Sequence, residues 1–155
     1  MNMEPREFVD QELNLISAMF AVQKEIYPMA VLVKDDKRYG IPVHYENTAH
    51  KDIVSQGIKD LVKASEPDIV IYMAEAWVIV IKDKSDRLSL PVPSKHPDRT
   101  EIVVVQIEFK TGEKFGCQAQ ILRDHGTPRL DKFEVLVTDV TMGRFVDFFP
   151  IQRTN

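Results

Sequence analysis

The sequence predicts an α+β domain: a mostly antiparallel sheet of about six strands with two helices on one face. Three observations carry this reading. Apolar residues recur at helical spacing in two segments, one near the N-terminus and one from Ile53 to Val62. Several further runs have the two-residue period or the continuous apolarity of strands. Short polar turns join successive strand runs, which favours antiparallel neighbours over crossover connections.

The first helix is predicted over Pro5–Ile26. Val9, Leu13, Ile16 and Phe20 form its stripe, widened by Phe8, Leu15, Met19 and Val22. Glu4 and Glu7 suit the positive start of the helix, Pro5 suits its first turn, and Pro28 closes the segment. Met29–Val33 and Tyr39–Tyr45 read as a β-hairpin around Lys34-Asp35-Asp36-Lys37. Pro42 places the second of these strands at an edge, since it cannot donate to a ladder. Asn47 or Thr48 caps the second helix, whose apolar positions are Ile53, Val54, Ile58, Leu61 and Val62. Ser65-Glu66-Pro67 ends it.

Asp68–Lys82 is the most strand-like stretch. Ile69, Ile71, Met73, Glu75, Trp77, Ile79 and Ile81 share one face, and Val70, Tyr72, Ala74, Ala76, Val78 and Val80 share the other. Two apolar faces mark a central strand covered on both sides. Asp83–Thr100 is a long loop with Pro91, Pro93 and Pro97. A hairpin follows, with Val103, Val105, Ile107 and Phe109 on one arm and Phe115, Cys117, Ala119 and Ile121 on the other. Thr111-Gly112-Glu113 forms its turn, and Phe133, Val135 and Val137 form a last strand. The order α-β-β-α-β-β-β-β is similar to that of profilin-like and roadblock-like folds, an analogy that carries no function.

Composition limits the classes of function. The 155 residues, 44% hydrophobic and 28% charged, fit a single globular domain over residues 1–155. The net charge of −4 and the lack of a basic cluster argue against nucleic acid as a partner. One cysteine, Cys117, cannot form an internal disulfide, and no apolar run reaches membrane-spanning length, so a cytoplasmic, non-membrane protein is expected. Glycine-rich phosphate loops, a Gly-x-Ser-x-Gly elbow and a His-Glu-x-x-His motif are all missing, so neither cofactor nor metal is expected.

Three features remain. Glu75 falls among apolar residues on its strand face and therefore needs a partner, because an unpaired buried carboxylate costs several kcal/mol or takes up a proton. The loop Pro93-Ser94-Lys95-His96-Pro97-Asp98-Arg99-Thr100-Glu101 can deliver Arg99, whose guanidinium suits a carboxylate bidentately. The aromatic segment Gly143–Phe149 either seals the sheet or forms a surface for self-association through Arg144, Phe145, Phe148 and Phe149.

Glu75-Ala76-Trp77 followed by Pro97-Asp98-Arg99 and Glu101 resembles a family of uncharacterised bacterial proteins. These combine a Glu-Ala-Trp strand with a Pro-Asp/Glu-Arg-x-Glu loop. The resemblance implies relatedness and no activity. The residues favour a non-catalytic binding or protein-interaction domain able to self-associate, with Glu75, Trp77, His96, Asp98, Arg99 and Glu101 as candidate binding residues. Its partner would be a second copy, an unidentified protein or a small ligand. The alternative is a small hydrolase-type enzyme centred on Glu75, His96, Asp98 and Arg99.

Overall fold

The computed structural model describes residues 3–78, 99–124, 126–137 and 146–149. Its elements are α1 (Pro5–Gln23), β1 (Met29–Lys34), β2 (Lys37–Pro42), α2 (Thr48–Ser65), β3 (Ile69–Val78), β4 (Thr100–Phe109), β5 (Lys114–Leu122), β6 (Arg129–Leu130) and β7 (Glu134–Val137). The strands form one seven-stranded sheet in the order β2-β1-β3-β4-β5-β6, with β7 also on β5. All of these pairings are antiparallel. No helix among the described residues is long and apolar enough to cross a membrane.

Local chemistry sets the joints. Asp35 and Asp36 both take positive φ, 50° and 62°, as a two-residue type I′ hairpin turn requires. Pro42 lies on the outer strand, where its missing N–H leaves no gap in the ladder. Asn47 caps α2 by accepting from the His50 N–H at 2.8 Å, and His50 Nδ1 accepts from the Glu46 N–H at 3.1 Å. This reciprocal pair does the work of a capping box with histidine in the glutamate's place. The last lane of the sheet is split. Ile121 faces Leu130 and Gln118 faces Glu134, so four steps on one side match three on the other. That extra residue is a bulge, and it turns the expected sixth strand into β6 and β7.

The placement of the helices corrects the sequence reading. They do not share a face. Phe8, Val9, Leu13, Ile16 and Phe20 of α1 pack with Ile69, Ile71 and Met73 of β3 and with Val103, Val105 and Ile107 of β4. Ile58 and Val62 of α2 pack with Val70, Tyr72 and Ala74, and with Ala30 and Leu32 of β1. The physical reason lies in β3: both of its faces are apolar, and one helix can cover only one of them. Glu12 interrupts the α1 stripe and is buried there. Arg38 on β2 meets it with two hydrogen bonds, one of them 3.0 Å from Arg38 Nη1.

A second carboxylate fastens the C-terminal segment. Glu108 has 0% of its surface exposed and accepts the N–H groups of Asp147 and Phe148 at 2.8 and 2.9 Å. Asp147, at φ 56°, turns the chain there and pairs with Lys114. Phe148 enters the α2-side core with 1% of its surface exposed, and Phe149 packs beside it. Phe148 therefore faces the core rather than a partner, and Phe149 is half-buried; Arg144 and Phe145 lie outside the described residues.

Burial raises the Glu108 pKa above 4.5, and the two N–H donors and Lys114 offset this only in part. A raised native pKa means that the folded chain holds the proton more tightly than the unfolded chain. This group's contribution to stability is thus full below about 4.5 and is lost as pH rises through the native value. Denaturant unfolding at several pH values should show wild type losing stability relative to Glu108→Gln as pH climbs toward neutrality. Glu108→Ala, which orphans buried donors, should cost at least about 1–3 kcal/mol at any pH. Equal stability of Glu108→Ala and wild type would remove the anchoring role.

Candidate functional site

The site lies where α1 stops covering β3. Alternation sets Ile69, Ile71, Met73, Glu75 and Trp77 toward the α1 side. The helix ends at Gln23, where Lys24 takes a left-handed φ of 65° and its N–H caps the Phe20 carbonyl at 2.7 Å. Ile69, Ile71 and Met73 are consequently buried, while Glu75 and Trp77 are exposed. Ile26 tucks in just after the helix and donates its backbone N–H to Glu75 Oε1 at 3.3 Å.

The neighbouring strands supply the charges. Glu101 on β4 stands directly across from Trp77, and Val103 stands across from Glu75. Arg123, just past β5, bonds Glu101 through Nε at 2.5 Å. Arg99 sits over the Trp77 ring with its guanidinium carbon 4.4 Å from the centroid, a cation–π contact. Partial shielding raises the Glu75 pKa above 4.5. The Ile26 N–H lowers it, the Glu101 charge raises it, Arg123 lowers it and Glu25 raises it again.

Beside this cluster runs a groove of about 400 Å³ lined by Met19, Gln23, Glu25, Ile26, Tyr27, Met29 and Met73. The Tyr27 hydroxyl donates to Glu25, and that bond raises the phenol's pKa. Three methionines give the walls a soft, adaptable apolar surface. Tyr27, on the groove's lining, is 63% exposed, and Trp77, two residues beyond Glu75 on β3, is 38% exposed.

The candidate residues thus fall into three sets. The structure brings Glu75, Trp77, Arg99 and Glu101 to one end of the α1 face. His96 and Asp98 lie outside the described residues, as does most of the loop that holds them. Glu75 is not enclosed, because the helix that would have covered it ends at Gln23, and the cation acting on it is Arg123, while Arg99 stacks on Trp77. Cys117 is buried in the core, and burial pushes its thiol up to about 12. Among the described residues no three His, Cys, Asp or Glu side chains are grouped to hold a metal ion.

Sequence reasoning missed Arg123, Glu25 and the methionine walls. Arg123 had a signal, since it continues the parity of Ile121 one step past the strand. The groove had none, because it needs the path of the chain between α1 and β1. No family model, no curated protein and no solved structure matches this chain, so the profilin-like and roadblock-like analogy rests on element order alone.

The electrostatics can be tested through Glu75 itself. In a carboxyl-carbon NMR titration its pKa should lie above 4.5. Glu101→Gln removes a like charge and releases Arg123, so it should move that value down; Arg123→Ala should move it up. A Glu75 that titrates identically in all three proteins would show that these charges do not act on it.

Proposed function

We propose that this chain is a single, non-catalytic protein-interaction domain able to self-associate, with the α1-side end as its contact surface. The observation that carries the reading is a methionine-walled groove with the exposed Tyr27 on its lining, together with the exposed Trp77 past Glu75 on the same strand face. Exposed apolar groups rimmed by charges mark interaction surfaces, and aromatic residues are enriched in them. Glu75, Trp77, Arg99 and Glu101 fit the same role as rim groups that orient a partner. A cytoplasmic setting accords with the lone, buried Cys117. The partner is a second copy or another protein.

One observation favours the hydrolase-type alternative: Glu75 has a raised pKa beside a groove, as general acids and bases often do. That reading needs His96, Asp98 and Arg99 to work with it. Turnover of chromogenic ester or phosphodiester substrates that disappears in Glu75→Gln would support the enzyme.

Sedimentation velocity over a wide range of protein concentration tests the interaction reading. Wild type should sediment faster as concentration rises, and a Tyr27→Ser/Trp77→Ser double variant should stay monomeric. A wild type that remains monomeric throughout contradicts self-association, and a double variant that associates equally well moves the contact elsewhere.

A further inference from the structure

The groove concentrates one type of donor atom. Three of the chain's six methionines, Met19, Met29 and Met73, line it. We propose that these three thioethers form a binding site for a soft monovalent cation, copper(I), with silver(I) as its redox-inert analogue. The proposal does not rest on the interaction reading above, because it follows from the sulfur donors alone.

The fold assembles the set from three elements. Met29 on β1 and Met73 on β3 are directly opposite each other in the antiparallel register. Side chains so opposed share one sheet face, with Cβ atoms about 4.5–5.5 Å apart. Met19, in the last turns of α1, reaches the same groove from the helix. Met73 is buried, with 3% of its surface exposed, while Met19 and Met29 are half-buried. One donor is thus held in the core, and two stand nearer the solvent from which an ion enters. Metal–sulfur bonds are about 2.3 Å long, so the three sulfurs must converge on the ion. The rotatable bonds of methionine allow that at little cost. Met29 has room to turn, because Gly40 on β2 carries no side chain and a Cβ there would stand 3.6 Å from Met29 Sδ.

The donor set selects the ion. Thioether sulfur is a soft, neutral donor that suits copper(I), whereas magnesium, calcium and manganese take oxygen ligands. The lining holds no histidine and no cysteine, the usual ligands of zinc. Its one carboxylate, Glu25, already accepts a hydrogen bond from the Tyr27 hydroxyl. Charge points the same way. Three thioethers neutralise nothing, so a bound ion keeps its full charge beside apolar walls. A single positive charge is one that Glu25 on the same lining can offset, and a second would remain uncompensated. No sequence motif marks such a site, because its ligands come from a helix and two strands far apart in the chain.

Titration of the full chain, labelled at its methionine methyl carbons, with silver(I) nitrate in chloride-free buffer is the direct test. The methyls of Met19, Met29 and Met73 should shift together and saturate at a single equivalent, while Met3, which packs against the core outside the groove, stays fixed. Copper(I) supplied without oxygen should displace silver from the same methyls, and zinc(II) should move none of them. Met29→Leu and Met73→Leu conserve side-chain volume and so preserve the fold. Each should weaken silver binding at least about ten-fold, since even the outer partners of metal ligands are worth that much. Met3→Leu should bind as wild type does. Groove methyls that do not shift saturably, or leucine variants that bind silver as tightly as wild type, overturn the site. Failure of copper(I) to displace silver overturns the assignment of the ion. Because sedimentation reads association and this titration reads metal at the methyls, the interaction reading and this proposal fail separately.

Discussion

The two apolar faces of β3 govern the architecture. A strand with Ile69, Ile71 and Met73 on one side and Val70, Tyr72 and Ala74 on the other cannot lie against water on either side. Each large apolar side chain left exposed forgoes roughly 1.5–3 kcal/mol of burial. Two separate covers are needed, and the chain supplies one before β1 and one before β3. The pairings with β1 and β4 then place β3 in the interior of the sheet, where its backbone groups have partners on both edges.

The candidate site follows from a mismatch of length on one of those faces. α1 covers β3 only as far as Met73, and the strand continues through Glu75 and Trp77. A carboxylate is tolerable at position 75 because the cover has ended, and a tryptophan at 77 keeps exposed surface for the same reason. The turn from Lys24 to Pro28 brings Ile26 back over Met73 and opens the methionine-walled groove beside it. Neither the groove nor the charged rim needs a dedicated element, since both form at the end of a cover shorter than the strand it covers.

Much of this was legible in the residues. Periodicity gives both helices and the two-faced character of β3, and turn and proline chemistry give the hairpin at Asp35-Asp36 and the edge position of Pro42, because each of these depends on nearby chain. What failed was long-range. The two-faced pattern of β3 demands cover on both sides, which the expectation of two helices on one face does not meet. The exposure of Glu75 is not legible locally, because alternation shows which side a residue faces and not where a helix on that side stops. Glu12 and Glu108 are enclosed, and their partners, Arg38 and the N–H groups of Asp147 and Phe148, lie 26 to 40 positions away in the chain. No local pattern can show such pairings. Phe148, which the sequence offers either as a seal on the sheet or as part of a self-association surface, docks in the α2-side core.

Hydrogen exchange at single amides tests the two-sided cover of β3 most directly. Amides from Ile69 to Ala74 should exchange only through global unfolding, and far more slowly than those of the outer strand β2. Trimming either cover, by Ile16→Ala in α1 or Val62→Ala in α2, should speed those amides by the full loss of stability measured in denaturant. If β3 exchanges as fast as β2, or if Val62→Ala leaves its protection unchanged, α2 does not seal the second face and the account of this fold is wrong.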